Sequence, residues 1–212
     1  MTTPTPVVDP AAQPAQTARI ANIANALTLV RLLLVPAFVA LLVANGGHST
    51  GWRVWAFVAF AVATVTDFVD GDLARSRGLV TDVGKVADPI ADKALIGAAL
   101  IGLSALGDLP WWVTVVILVR ELGITGLRFF VIRHGVIPAS RGGKIKTLLQ
   151  NVAIGLYVLP LTGWSASLRF GLLALAVVIT LATGVDYVAR AVRLRRTSAR
   201  AQMKRARRAA QQ

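Results

Sequence analysis

Residues 66–93 read TDFVDGDLARSRGLVTDVGKVADPIADK. Four of the six aspartates in this stretch form two helically spaced pairs, one on each side of a short polar connection. Asp67 and Asp70 stand at the end of one apolar run and are spaced i, i+3, so on a helix they share a face. Asp88 and Asp92 stand at the start of the next run and are spaced i, i+4, so on a helix they also share a face. Because the connection is short, we expect the two helices to pack antiparallel, with all four carboxylates facing one another.

The composition around this stretch is typical of a membrane protein. Of the 212 residues, 55% are hydrophobic and 16% are charged, and the mean hydropathy is +0.64. A soluble domain has roughly 45–50% apolar and about 25% charged residues. The composition therefore excludes a disordered chain and disfavours a soluble enzyme. The absence of cysteine excludes a disulfide framework, a zinc–thiolate site and a cysteine nucleophile.

Six apolar runs predict the fold class. A membrane-spanning helix needs about 20 mostly apolar residues, and the candidates are Ala26–Ala44, Trp52–Val69, Ala87–Leu106, Trp111–Ile132, Thr147–Leu161 and Leu168–Ala189. We predict an all-α, polytopic membrane bundle of six transmembrane helices, with a short interfacial helix at 19–25 before the first span. The predicted domains are a flexible N-terminal tail (1–21), the membrane domain (22–190) and a basic tail (191–212).

The basic residues predict the orientation of the bundle. Only Arg53 and Arg169 fall on one side of the six predicted spans. The other side, which carries the aspartates, collects Arg19, Arg75, Arg77, Lys85, Arg133, Arg141, Lys144, Lys146 and the C-terminal tail. Loops rich in Lys and Arg stay in the cytoplasm. Both termini and the aspartates are therefore predicted to be cytoplasmic.

The C-terminal tail carries nine cations between Arg190 and Arg208. Such a segment is attracted to anionic lipids, although it also serves as a topology anchor. Nucleic acid is not an expected partner, because no aromatic stacking platform accompanies the charge.

Four facing carboxylates need cations to compensate their charge. Oxygen ligands without His or Cys select Mg²⁺, Mn²⁺ or Ca²⁺, and four aspartates can bridge two ions about 3.5–4 Å apart, as in phosphoryl-group displacement. Gly71 and Gly84 leave room for a ligand or a facing helix, and Arg75 can pair with a phosphate. The alternative is that the aspartates only cap helix ends beside Arg and Lys partners.

The spacing of these residues resembles the motif of the CDP-alcohol phosphotransferase family. It matches at every defined position: Asp67-x2-Asp70-Gly71-x2-Ala74-Arg75-x8-Gly84-x3-Asp88-x3-Asp92. The resemblance extends over residues 22–190 and implies six membrane-spanning helices with the motif in the cytoplasm.

The resemblance also implies roles for the motif residues. Asp67, Asp70, Asp88 and Asp92 would hold two Mg²⁺ or Mn²⁺ ions, and Asp92 would also deprotonate the acceptor hydroxyl. The CDP moiety would be contacted by Gly71, Ala74 and Arg75. The family setting implies a bacterial cytoplasmic membrane with the active site facing the cytoplasm, and a homodimer is a further expectation.

Other strings resemble the branch of the family that uses sn-glycerol 3-phosphate as the acceptor. They are Asn25-Ala26-Leu27-Thr28-x2-Arg31, Asp88-Pro89-Ile90-Ala91-Asp92-Lys93, Arg120-Glu121 and Gly143-Lys144-Ile145-Lys146-Thr147. This resemblance implies transfer of a phosphatidyl group from CDP-diacylglycerol to sn-glycerol 3-phosphate, with release of CMP.

A second group of charges predicts where the acceptor phosphate binds. A charge inside a membrane costs roughly 2.5–3.5 kcal/mol on insertion scales, so it normally faces a cavity or a partner. The candidates are Lys144, Lys146, Arg120 and Arg128, with Arg31 and Arg141 as further members. Arg120 and Glu121 are adjacent and point about 100° apart on a helix, so we do not expect them to neutralise each other. Alternatively, the loop cations set topology, and Arg31 extends to the headgroups.

Two alternative functions stay open from the sequence. The first is the same chemistry with another acceptor: an inositol phosphate, phosphatidylglycerol or serine. The second is a divalent-cation transporter, although transport sites usually lie near the membrane midplane, whereas these aspartates cluster at one face.

Overall fold

The computed structural model describes the backbone of residues 14–77, 82–131 and 141–197, and the side chains of residues 29–68, 90–127, 130 and 145–194. These residues form six α-helices and no β-strand. The helices are α1 (Pro14–Val43), α2 (Thr50–Arg77), α3 (Asp82–Ala105), α4 (Trp111–Val131), α5 (Arg141–Val158) and α6 (Trp164–Thr197). The prediction of an all-helical chain is confirmed, and each predicted span falls largely within one of these helices.

Five of the six helices are longer than the sequence predicted, and α1, α2 and α6 extend furthest beyond their apolar runs. Helix α1 begins at Pro14 and continues to Val43, so the prediction of a separate interfacial helix at 19–25 was wrong. Residues 15–35 contain neither Gly nor Pro, so nothing in the sequence interrupts the helix there. Its first turns lie inside the stretch predicted to be a flexible tail. Helices α2 and α6 likewise extend beyond their apolar runs, α2 through Asp70 and Gly71 and α6 into the basic tail.

Short turns with left-handed glycines reverse the chain between helices. Gly46 and Gly47 follow α1 with φ of 71° and 76°, a conformation that glycine adopts without steric cost. Gly47 is also packed so closely that a Cβ there would overlap the side chain of Leu106, at the end of α3. This contact brings the start of α2 beside the end of α3.

The core of the bundle is formed by apolar side chains from all six helices. Phe38 and Phe60 meet with ring centroids 5.7 Å apart. Other fully buried residues are Leu42, Leu100, Leu103, Ile117 and Val158. Buried alanines such as Ala59 and Ala99 accompany them, and small residues allow helices in a membrane to approach closely.

The outer surface of the bundle is apolar as well. Two helical segments, 29–47 and 164–194, are long and apolar enough to cross a membrane. Only 17% and 28% of their most apolar windows are buried, whereas the core helix of a soluble protein is mostly buried. Large exposed side chains such as Leu33, Val119 and Val185 also lie on this surface. A surface of this kind faces lipid, and the chain is a membrane protein.

Candidate active site

Ion pairs mark the two ends of the bundle. Towards one end, Arg31 of α1 pairs with Asp67 of α2, and Asp67 interacts electrostatically with Asp92 of α3. We call this the aspartate end. At the opposite end, Arg53 of α2 pairs with Asp108 in the turn between α3 and α4.

Arg31 is held against the first aspartate of the motif. Its Nη1 lies 2.7 Å from Asp67 Oδ1, with 1% of the Arg31 side chain and 38% of the Asp67 side chain exposed. A buried guanidinium stabilises a neighbouring carboxylate, because little water competes for the guanidinium charge. The structure therefore brings Arg31, predicted as a member of the acceptor-phosphate group, to the aspartate motif.

Asp92 faces a cavity between α3, α4 and α5 that is partly open to its surroundings. The cavity is lined by Asp92, Lys93, Ile96, Leu118, Glu121, Leu122, Lys146, Thr147, Gln150 and Asn151. Lys146 is itself buried. Its charge interacts electrostatically with Asp92 across the cavity. Asp92 and Lys146, which are 54 positions apart in the sequence, thus line the same cavity.

The carboxylate of Glu121 links Lys146 to a second cation, Arg120. Lys146 Nζ donates to Glu121 Oε1, and Arg120 Nη1 donates to the same oxygen at 3.2 Å. The expectation that Arg120 and Glu121 would not neutralise each other was wrong. The long, flexible arginine side chain spans the angle between two adjacent helical positions.

Arg120 is also bound to α6. Its Nε donates to the Thr180 carbonyl oxygen at 3.1 Å, and its Nη2 donates to Thr183 Oγ1 at 2.9 Å. Gly184 leaves space for this side chain, since a Cβ there would lie 3.4 Å from Arg120 Cγ. Arg120 is absent from the cavity lining given above, and it links α4 to α6.

Sequence reasoning missed several of these polar residues. Gln150 and Asn151 are buried on the cavity wall, and the Thr180 hydroxyl donates to Gln150 Oε1 at 3.4 Å. Polar residues within an apolar span commonly mark functional cavities. That signal was present in the sequence as a Gln-Asn pair within the fifth apolar run.

Comparison with known proteins gives the family. The family model described as CDP-alcohol phosphatidyltransferase matches residues 21–182, which is most of the chain. The chain belongs to the CDP-alcohol phosphatidyltransferase family. A probable phosphatidylglycerophosphate synthase of Mycobacterium tuberculosis is 61% identical over 176 residues, covering 83% of this chain and 84% of that protein.

Two other relatives of this phosphatidyltransferase differ in their stated product or acceptor. The CDP-diacylglycerol–glycerol-3-phosphate 3-phosphatidyltransferase of Bacillus subtilis is 37% identical over 179 residues, covering 78% of this chain and 93% of that protein. A cardiolipin synthase (CMP-forming) of Streptomyces coelicolor is 35% identical over 162 residues, covering 72% of this chain and 73% of that protein. The phosphatidyltransferase activity class is thus shared, and the acceptor is the property that separates these relatives.

Part of the predicted site lies outside the described side chains. Those predicted residues are Asp70, Gly71, Ala74, Arg75, Asp88, Arg128, Arg141 and Lys144. The backbone places Asp70 one turn after Asp67 on α2 and Asp88 one turn before Asp92 on α3. Within the side chains that the structure describes, no group of three or more His, Cys, Asp or Glu could hold a metal.

The described donors nevertheless fit a hard divalent cation. Asp67 lies ten residues before the end of α2, and Asp92 lies ten residues after the start of α3. The two carboxylates are close enough for their charges to interact. Both offer only oxygen, the ligand atom that Mg²⁺ and Mn²⁺ prefer. The enzymes of this family generally use divalent metal ions, and these residues suit that requirement.

Proposed function

We propose that this phosphatidyltransferase transfers the phosphatidyl group of CDP-diacylglycerol to sn-glycerol 3-phosphate, giving phosphatidylglycerophosphate and CMP. The observation that carries the proposal is the shared cavity of Asp92 and Lys146. An acceptor with a hydroxyl and a phosphate needs a base near the first and a cation near the second. The names of the Mycobacterium and Bacillus relatives support this acceptor.

Asp92 is the proposed general base. Its carboxylate takes the proton from the acceptor hydroxyl, and the hydroxyl oxygen attacks the lipid-side phosphorus of CDP-diacylglycerol. A new phosphorus–oxygen bond forms as the bond to the CMP oxygen breaks, and CMP leaves. Positioning and electrostatic stabilisation provide most of the rate in phosphoryl transfer.

Two Mg²⁺ or Mn²⁺ ions are part of the proposal. Asp67, Asp70, Asp88 and Asp92 would hold them, and their chemistry when bound is to neutralise the diphosphate and stabilise the leaving oxygen. The ion pair with Arg31 would orient Asp67 for this task. For the CDP moiety, the proposed contacts are Gly71, Ala74 and Arg75.

The acceptor phosphate is proposed to bind Lys146 together with Lys144. Lys146 is the described cation of the predicted group that lines the cavity. Arg128 and Arg141 are further candidates from the sequence. Arg120 and Arg31 have other partners, on α6 and on Asp67, so we assign them the role of positioning those partners.

The proposed setting is a bacterial cytoplasmic membrane, crossed six times, with both termini and the active site facing the cytoplasm. The described helices support it, because an even number of crossings returns the chain to its starting side. The charge asymmetry of the loops supports the direction. The basic tail is proposed to bind anionic lipids, and the homodimer stays a prediction.

Phosphatidylglycerol is the second candidate acceptor, favoured by the similarity to the Streptomyces cardiolipin synthase. It carries a hydroxyl but no terminal phosphate monoester, so it would use Asp92 without needing Lys146 in the same way. An inositol phosphate and serine stay as weaker alternatives. Family membership argues against the transporter.

The deciding experiment measures CMP release from CDP-diacylglycerol with sn-glycerol 3-phosphate, phosphatidylglycerol, inositol phosphate or serine. We expect release with sn-glycerol 3-phosphate, loss of that release in EDTA, and recovery with Mg²⁺ or Mn²⁺. The Asp92→Asn variant should lose kcat with little rescue by added acceptor. Release with phosphatidylglycerol alone would reject the proposed acceptor, and full activity in EDTA would reject the two-metal site.

A further inference from the structure

All five tryptophans of the chain belong to the first turns of three helices. Trp52 and Trp55 open α2, Trp111 and Trp112 open α4, and Trp164 opens α6. Every one of them is exposed, with between 46% and 81% of its surface accessible. We call these five residues the tryptophan belt.

Contacts between helix ends show that the belt lies at a single end of the bundle. Arg53, at the start of α2, pairs with Asp108 just before α4. Arg169, at the start of α6, stacks 4.8 Å from the ring centroid of Tyr157 near the end of α5, and Gly155 of α5 packs against the ring of Phe57 on α2. The starts of α2, α4 and α6 are therefore side by side, opposite the aspartate end.

Exposed aliphatic side chains continue from the belt along the helices. On α2 they are Val58, Val62 and Val65, and on α4 they are Val115, Val119 and Leu122. On α6 they include Leu175, Val178 and Val185, and Val188 and Val192 follow among charged residues. A helix rises 1.5 Å per residue, so Trp164 and Val185 are about 31 Å apart along α6.

That length matches the hydrocarbon core of a bilayer, which is about 30 Å thick. Exposed charges begin directly after Val185, where Asp186 and Arg190 form an ion pair in which both side chains are 53% exposed, and the exposed Val188 and Val192 lie among them. An apolar band with indole rings at one boundary and charges at the other has the polarity profile of a membrane cross-section.

We propose that the tryptophan belt binds the lipid–water interface of the leaflet opposite the aspartate end and fixes the depth of the bundle. The partner is the glycerol and headgroup region of phospholipids. An indole ring suits that layer, because its apolar face packs on acyl chains while its N–H donates to ester or phosphate oxygens. The proposal does not depend on the identity of the acceptor.

The belt also gives a depth for the catalytic residues. Asp67 follows Trp55 by 12 positions on α2, a rise of about 18 Å. In a hydrocarbon core of about 30 Å, Asp67 would then lie roughly 12 Å short of the far boundary. A charged acceptor would reach the site through a recess rather than at the membrane surface.

The test uses intrinsic fluorescence, which reports only the belt because no tryptophan lies elsewhere in the chain. The full-length protein is reconstituted in phosphatidylcholine–phosphatidylglycerol vesicles containing lipids with a nitroxide on the headgroup, high on the acyl chain or near its end. We expect the two shallow labels to quench about twofold more strongly than the deep label. Strongest quenching by the deep label would overturn the proposal. Absence of quenching by all three would also overturn it, because a second copy or water would then cover the belt.

A matched variant provides the depth reference. Val119→Trp adds one indole at an exposed position on α4, about 12 Å further along the helix than Trp111. Its added emission should be quenched best by the deep label, while the emission shared with the unaltered protein keeps its shallow profile. Equal depth profiles for the added indole and the belt would contradict an interfacial belt. This readout involves no catalysis, so it is independent of the proposed function.

Discussion

Arg31 and Asp67, 36 positions apart in the sequence, form a 2.7 Å ion pair that joins α1 to α2. The guanidinium is almost completely buried, whereas the carboxylate is partly open on its other side. That geometry leaves Asp67 accessible to a metal ion while fixing its orientation. Mutation of a residue that orients a metal ligand in this way typically lowers metal affinity or activity 10–100-fold.

Replacing Arg31 should therefore change the metal requirement. We expect Arg31→Ala to lower activity about 10–100-fold at fixed Mg²⁺ and to raise the Mg²⁺ concentration needed for half-maximal activity. Arg31→Lys, which keeps the charge but loses the fork of donors, should recover part of the loss. The measurement is a Mg²⁺ titration of CMP release. An unchanged Mg²⁺ requirement with a raised KM for sn-glycerol 3-phosphate would instead assign Arg31 to the acceptor phosphate.

Glu121 should matter for stability, because it is the anion between Arg120 and Lys146. We expect Glu121→Gln to destabilise the bundle by about 3–5 kcal/mol, the usual cost of leaving a buried cation, here Lys146, without its partner. The midpoint of thermal unfolding in detergent measures the effect. Asp186→Asn is the control, since it breaks an exposed i, i+4 pair with Arg190 and should cost only about 0.3–0.5 kcal/mol. Equal losses in the two variants would mean that the Glu121 pairs contribute no more than a surface pair.

Replacing Lys146 should weaken binding of sn-glycerol 3-phosphate more than binding of CDP-diacylglycerol. A charge-assisted hydrogen bond contributes roughly 1.5–3 kcal/mol, so Lys146→Ala should raise the KM for sn-glycerol 3-phosphate by about one to two orders of magnitude. The KM for CDP-diacylglycerol should change little. Lys144→Ala, outside the described side chains, is the parallel variant and should act in the same direction. An unchanged acceptor KM in a folded, membrane-inserted Lys146→Ala protein would leave Lys146 a purely structural role.

Cysteine labelling tests the orientation, and the absence of native cysteine makes the background clean. Ser49 lies between α1 and α2, at the end opposite the aspartates. A cysteine there should react with a membrane-impermeant maleimide in intact cells, whereas one at Ser198, outside the described residues, should react only after the membrane is opened. Labelling of Ser198→Cys from outside would reverse the proposed topology.

The sequence by itself determined the class of the molecule. Apolar runs of membrane-spanning length predict helices because backbone groups in lipid must be hydrogen-bonded within their own segment. The i, i+3 and i, i+4 spacings of the aspartates placed them on helix faces, since helical geometry is local. The sequence did not locate the start of α1, because a boundary there depends on weak local preferences rather than on apolar periodicity.

Only the tertiary structure decided which charges meet. Arg120 donates to residues of α6 sixty or more positions away, and Lys146 meets Glu121 across two helices. Such pairings depend on how far each helix is rotated about its axis and on which neighbour it packs against. Those quantities are set by the fit of core side chains such as Phe38 and Phe60, and by the space that Gly184 leaves. A charge in a sequence thus predicts that a partner is needed, and the packing of the helices selects which partner that is.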